Sequence, residues 1–333
     1  MIPLRRRAGN AGAATESPGE AVSPAPQSGR MTGRPEARRP TVKSKPQIRL
    51  LDETEEAPSA LGVVMLTTEF PFMGETVGLR AMVPERRATL ADVVPLARAV
   101  CDRLTEAAIR CAERAGRTIS CAKGCSTCCT NYLVPMTAPE AFRLWQDLRA
   151  LPAAERRRLE VAFDAAEKRV AESGLIEAYA KLDPNDPDSA AAQRELAGKW
   201  WAEQRFPCPL LHEAACRYYA SRPIPCREFL VVSPPELCAA NRETRVRRPF
   251  SMHVVLSKWA GELEAARPTL VLLPNFLSWC LGNVARGRRT WRGPQIVKHL
   301  LDALTETAGA ADKKFGGPLG NPPSDPPEAA LAV

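Results

Sequence analysis

Four cysteines fall within nine residues, at Cys121, Cys125, Cys128 and Cys129, in the run Ser120-Cys-Ala-Lys-Gly-Cys-Ser-Thr-Cys-Cys-Thr130. Three more follow at Cys208, Cys216 and Cys226. A hydrophobic core has no need of thiols at this density. A metal ion or an iron–sulfur cluster does, because it gathers three or four soft thiolates from segments that are far apart in the chain. The cysteines therefore predict a domain organised around a metal centre, and they constrain the fold more than any other feature of the chain.

Charge adds less than the pI near 9.0 suggests. Residues 1–50 carry ten Lys and Arg against three acids, which accounts for +7 of the net +8. The rest of the chain is close to neutral, so the charge pattern predicts a solvated basic tail rather than a nucleic-acid-binding domain. Residues 1–60 are also rich in Pro, Gly, Ala and Ser and are expected to be disordered. Arg5-Arg6-Arg7 is not followed by an apolar segment, and no run is long enough to span a bilayer. A cytoplasmic protein with no membrane association is expected. In that reducing compartment clustered cysteines read as metal ligands rather than disulfides.

Periodicity predicts a mainly α fold with a small β element (α+β), forming a single cysteine-rich domain. Residues 61–118 read as a strand pair and a helix. The strands are Leu61–Thr67 and Thr76–Val83, with Pro71 and Gly74 between them, and the helix starts between Thr89 and Leu96 and ends near Gly116. Cys101 and Cys111 lie on its apolar stripe and read as core thiols. Residues 119–238 hold the cysteine clusters. Within them Thr137-Ala-Pro-Glu140 has capping-box spacing, and Ala153–Ser173 reads as a helix stopped by Gly174. Asp183–Asp188 reads as a loop, and Ser189 as the cap of a helix through Trp200 and Trp201. Residues 239–310 read as further helices of the same domain, and 311–333 as a second disordered tail.

The first three thiols, with spacing Cys-x3-Cys-x2-Cys, sit on a loop in which Gly124 can adopt positive φ and turn Cys121 and Cys125 toward one ion. In an extended segment Cys128 and Cys129 would point to opposite sides. Seven thiols exceed one tetrahedral site, and Cys238 would make eight, enough for two. One four-cysteine cluster with spare thiols is equally compatible. Zinc and iron, the latter including a 4Fe-4S cluster, both accept four sulfurs. Lys123, Arg217, Arg222 and Arg227 are candidates to offset thiolate charge, and Tyr218, Tyr219 and Phe229 to shield it. His212, between Cys208 and Cys216, reads as a surface residue before a ligand. No phosphate-binding loop, zinc-protease helix or serine-hydrolase elbow is present.

Taken together, Cys121-x3-Cys125-x2-Cys128-Cys129, Cys208-Pro-Leu-Leu211, Cys216-x-Tyr-Tyr219 and Arg222-Pro-x-x-Cys-Arg-x-Phe229 resemble the YkgJ-type cysteine-cluster family over residues 119–238. Its members are described as zinc- or iron-chelating domains. The resemblance implies that Cys121, Cys125, Cys128, Cys129, Cys208, Cys216 and Cys226 hold the metal. Flagellin lysine-N-methylases look similar around the same motif. A metal-dependent protein-modifying enzyme acting on a protein substrate is therefore the alternative to a metal-binding protein.

Overall fold

The computed structural model describes residues 47–52, 54–55, 62–175, 177, 206–240 and 242–315. The expected loop at Asp183–Asp188 and the helix through Trp200 and Trp201 lie outside the described residues. The fold is mainly α with small β elements, and two large apolar cores, both contacted by α1, position the cysteine segments beside a smaller cluster of Leu133, Val170 and Leu175.

The first core is built on an antiparallel sheet of order β1-β3-β2, from Arg49–Leu50, Val63–Phe72 and Glu75–Pro84. Alternation puts Val77, Leu79, Ala81 and Val83 of β3 inside. The hairpin turns on Met73 and Gly74, both at positive φ (52° and 80°), as a two-residue turn matched to strand twist requires. Pro71 is not part of the connection: it stays in β2 opposite Thr76, which an edge strand tolerates. The expected tail 1–60 also needs correction. Arg49 and Leu50 pair with Met82 and Ala81, because Ile48 and Leu51 bury their side chains almost completely.

After the short strand β4 (Arg87–Ala88) comes α1, Leu90–Arg114. Thr89 and Asp92 close a capping box at its start, and Gly116 at φ 71° follows its end. Helix α1 lies against both the sheet and α3, so it belongs to both cores. Cys101 is fully buried in the first core and Cys111 packs against it.

The second core forms around β5 (Pro135–Thr137), α3 (Ala138–Arg149) and α4 (Ala153–Glu172), which follow the five-residue α2 (Thr127–Asn131). The cysteine segments β6 (Leu211–His212), β7 (Ala215–Cys216), α5 (Ile224–Glu228) and α6 (Pro235–Ala239) come next. Then α7 (Met252–Glu264) joins the first core, where the buried Trp259 donates its indole N–H to the Ile296 carbonyl at 3.1 Å. Strand β8 (Leu270–Leu272) pairs with β5, and α8 (Phe276–Gly282) seats Phe276 edge-on against Phe163 of α4. Beyond α9 (Val284–Gly287), β9 (Trp291–Arg292) pairs with β4, and α10 (Gly293–Phe315) packs along β2. This last helix runs past the expected boundary at 310.

Two glycines with different surroundings allow a test. A Cβ on Gly293 would meet the Arg86 and Pro84 carbonyl oxygens at 2.8 and 2.9 Å, both backbone atoms. A Cβ on Gly309, also within α10, meets nothing within 4 Å. Gly293→Ala is expected to destabilise by about 1–3 kcal/mol in urea denaturation, and Gly309→Ala to stabilise by about 0.5–1 kcal/mol.

A second test concerns Glu75 at the hairpin turn. Its carboxylate is hydrogen-bonded by Arg110 and Arg114 of α1, which bring its pKa down to about 2 from 4.5. A depressed folded-state pKa means this contribution is present above the ordinary carboxylate range and is lost as pH falls from there toward 2. Acid unfolding of Glu75→Gln should therefore begin from a less stable plateau at neutral pH and show a shallower slope below pH 4.5.

Candidate functional site

The first cysteine loop is held against the segment 229–246 by backbone and short polar side chains. The Ser120 N–H donates to the Val231 carbonyl at 2.8 Å, and its hydroxyl donates to the Ser233 carbonyl at 2.6 Å. Cys121 Sγ lies 3.6 Å from the Phe229 carbonyl. Gly124 takes a φ of 100°, and the Cys125 N–H closes the turn on the Ala122 carbonyl at 3.1 Å. Cys128 and Cys129 depart from the extended geometry expected of them, since they lie inside α2. Adjacent helix positions are separated by about 100° rather than facing opposite ways, and the two thiols come within hydrogen-bonding reach of each other.

The second group is placed by three devices. The Cys208 N–H donates to the Cys129 carbonyl at 2.7 Å, joining the two cysteine segments directly. A turn with Glu213 and Ala214 at φ 47° and 58° then folds β7 back on β6, which carries Cys216 to the neighbourhood of Cys208. A left-handed backbone costs a non-glycine residue about 1–2 kcal/mol, so the surroundings must compensate for this turn. Finally, Cys226 sits in α5. Pro225 occupies its first turn, where a missing N–H costs nothing. Pro223, at the N-cap, and Pro225 thus start a short helix rather than break one.

Glutamates fix α5 at both ends. The Glu140 carboxylate is completely buried and accepts from Thr137 N–H (3.1 Å), Thr137 hydroxyl (2.9 Å) and the Ile224 N–H that opens α5 (2.7 Å). His253 Nδ1 of α7 lies 3.7 Å away. Burial opposes its ionisation, but His253 and these N–H donors hold its pKa below the ordinary value. Glu228, the last residue of α5, accepts from Met252 N–H (2.6 Å) and the Ser251 hydroxyl (2.5 Å) at the start of α7. The capping-box role of Glu140 is visible in the sequence. Its bond to Ile224, 84 positions away, and the part played by His253 have no local signal.

Electrostatically the thiols divide into two groups. Every pair among Cys128, Cys208, Cys216 and Cys226 interacts, as does every pair among Cys121, Cys125 and Cys238. Cys128 belongs to the first group and also interacts with Cys121 and Cys238. Cys129 reaches the group through Cys128. Its thiol hydrogen bond, followed by burial, holds the Cys128 thiol well above its usual range. Burial raises Cys121, Cys216 and Cys238, pushes Cys208 up to about 12 and holds Cys226 well above the usual range. Neighbouring thiols add to each of these shifts. Cys280, deep in the second core, is raised by burial alone.

Arg222 is the cation that faces this assembly. Its charge favours the thiolates of Cys121, Cys128, Cys216 and Cys226, and its guanidinium stacks 4.2 Å from the Tyr219 ring centroid. Lys123 lies 5.8 Å over the same ring. The other two candidate cations pair elsewhere, Arg217 with Glu155 at 3.8 Å and Arg227 with Asp102 at 2.6 Å. Phe229 packs with Tyr132 beside Arg245, and Tyr218 packs on the second core. His212 is exposed beside Glu213. The structure thus sets Cys128, Cys208, Cys216 and Cys226 within mutual electrostatic reach, and likewise Cys121, Cys125 and Cys238, with Cys128 common to both sets. Among the described residues, however, no group of three or more His, Cys, Asp or Glu side chains is drawn into the spacing of a metal-ion site.

Removing the Glu140 carboxylate leaves buried N–H donors without an acceptor, so Glu140→Ala should lose about 3 kcal/mol in urea denaturation at neutral pH. Because its folded-state pKa is depressed, the gap between wild type and Glu140→Gln should narrow as pH falls through the carboxylate range. Comparison with known proteins finds no matching family model, no matching curated protein and no matching solved structure.

Proposed function

We propose that this chain is a cytoplasmic metal-binding protein that holds zinc or iron, the latter as an ion or a 4Fe-4S cluster, through clustered cysteine thiolates. The observation that carries this reading is the convergence of the cysteine segments: the Cys208 N–H donates to the Cys129 carbonyl at 2.7 Å, and Cys208, Cys216 and Cys226 pack against the same apolar core. With Cys128 they are delivered by α2, a loop, β7 and α5. An all-sulfur donor set suits a thiophilic ion. The resemblance of residues 119–238 to the YkgJ-type family supports the same reading, with Cys121, Cys125 and Cys129 completing the ligand supply and Cys238 beside them.

The protonation chemistry is consistent with such a role. Thiols held this far above their ordinary pKa remain neutral at physiological pH, so a bound cation must displace their protons. Arg222 offsets part of the negative charge that four thiolates would leave. The metal would add a cross-link among segments already joined by backbone hydrogen bonds, short polar side chains and two glutamates, so binding and stability should be coupled.

Protein purified without oxygen should contain stoichiometric zinc or iron. Iron with acid-labile sulfide and broad visible absorption would identify a cluster, and a colourless zinc protein a mononuclear site. Cys208→Ser and Cys226→Ser are each expected to lose the metal and lower the thermal midpoint, whereas Cys111→Ala, on α1, should keep it. Wild-type metal content and stability in both serine variants would overturn the proposal.

A further inference from the structure

A second candidate site lies away from the cysteines, where two arginine-bearing segments meet. The β4–β9 register sets Arg87 opposite Arg292 and Ala88 opposite Trp291. Like charges directly opposite destabilise a strand pair, so this pairing is not explained by sheet stability. The crossing is close because residue 293 is glycine: its N–H donates to the Arg86 carbonyl at 2.8 Å, and a Cβ there would collide with the same chain. Arg87 is further held by Thr290, whose hydroxyl accepts from its Nε at 2.7 Å across 203 positions of sequence.

The result is a local concentration of guanidinium groups. Arg86, Arg87, Arg288, Arg289 and Arg292 are all exposed, on a chain whose net charge beyond residue 50 is close to zero. The acids nearby neutralise them only in part. Glu264 is committed to Arg286 at 2.7 Å and reaches Arg289 only at 3.8 Å, and Asp92 stands 4.0 Å from Arg86. Glu85 is exposed next to Arg86. Among the described residues the side chains of Arg288 and Arg292 have no hydrogen-bond or ion-pair partner. All five cations are Arg and none is Lys, and the planar guanidinium fork matches phosphate oxygens two at a time. Trp291, half-buried with Arg289 5.3 Å from its ring centroid, adds an aromatic surface at the same place.

We propose that this arginine corner, formed by residues 86–87 and 288–292, binds the phosphate backbone of a nucleic acid. Its residues are distinct from the candidate metal ligands and from the basic residues in positions 1–46. Backbone contacts of this kind carry affinity that falls steeply with salt and reads little sequence.

The test is fluorescence anisotropy of the full-length chain with a labelled single-stranded RNA and a labelled DNA duplex, over about 50 to 200 mM salt. Arg288→Glu/Arg292→Glu keeps the basic N-terminal residues and removes no contact seen in the fold, so its circular dichroism and thermal midpoint should match wild type. Its affinity is expected to fall about tenfold or more, with the slope of log affinity against log salt reduced by about 2. The neutral pair Arg288→Gln/Arg292→Gln should lose less. Wild-type binding by the Glu variant would place any affinity in the N-terminal residues and overturn the proposal. Absence of binding by wild type, or stronger competition by poly-glutamate than by RNA, would overturn it equally.

Discussion

A carboxylate with no access to water cannot remain charged unless the protein replaces its hydration, and at Glu140 three donors and an imidazole do so. That requirement organises the centre of the molecule. To satisfy Glu140, the start of α3, the start of α5 and the first turn of α7 must all converge on one point. Cys226 is two residues beyond the Ile224 N–H that Glu140 accepts, so the carboxylate sets the position of this thiol. Glu228 repeats the arrangement at the other end of the same short helix, where it caps α7. An element of five residues is too short to be stable by its own hydrogen bonds; here it is fixed at one end by Glu140 of α3 and at the other by its own Glu228, which accepts from α7.

The thiols pose the opposite problem. Four weakly acidic groups brought together in a poorly solvated place raise one another's pKa, as burial also does, and they stay neutral. Cys101 and Cys280 show how the same fold treats thiols used for packing: each is buried in an apolar core, and no other thiol adds to the rise in its pKa. The clustered cysteines are treated differently. Cys128, Cys208, Cys216 and Cys226 are half-buried and come from several chain segments, and Arg222, which stacks on Tyr219, faces Cys128, Cys216 and Cys226. A cation or cluster at that place would reverse the electrostatic cost of gathering them, which is the physical content of the metal reading.

Much of the architecture was legible in the sequence where the signal is local. The capping box at Thr137, the stop at Gly174 and the strand at β3 each depend on residues within a few positions of one another, and the structure realises them. Strands β1, β4, β5, β8 and β9 were not legible, because two or three residues carry no periodicity and their pairing is decided by partners far along the chain. The left-handed turn at Glu213 and Ala214 lacks the glycine or asparagine that would have announced it. Cys128 and Cys129 were expected to diverge, and a single helical turn instead lets their thiols meet.

For the candidate site, the sequence alone determined which atoms are available: seven thiols in two groups, an eighth at Cys238, and a cation at Arg222 between Cys216 and Cys226. Residue identity and short spacing suffice for that, since they define the chemistry of a donor set without its geometry. Only the tertiary structure decided which thiols are neighbours, that Arg227 turns away to Asp102 while Arg222 faces the cluster, and that Arg87 and Arg292 meet across the fold. The thiol arrangement depends on burying Glu140 with its donors satisfied and on packing two apolar cores against α1, and the arginine pair on the β4–β9 register beside Gly293. Such long-range constraints select one arrangement among the many that local sequence permits.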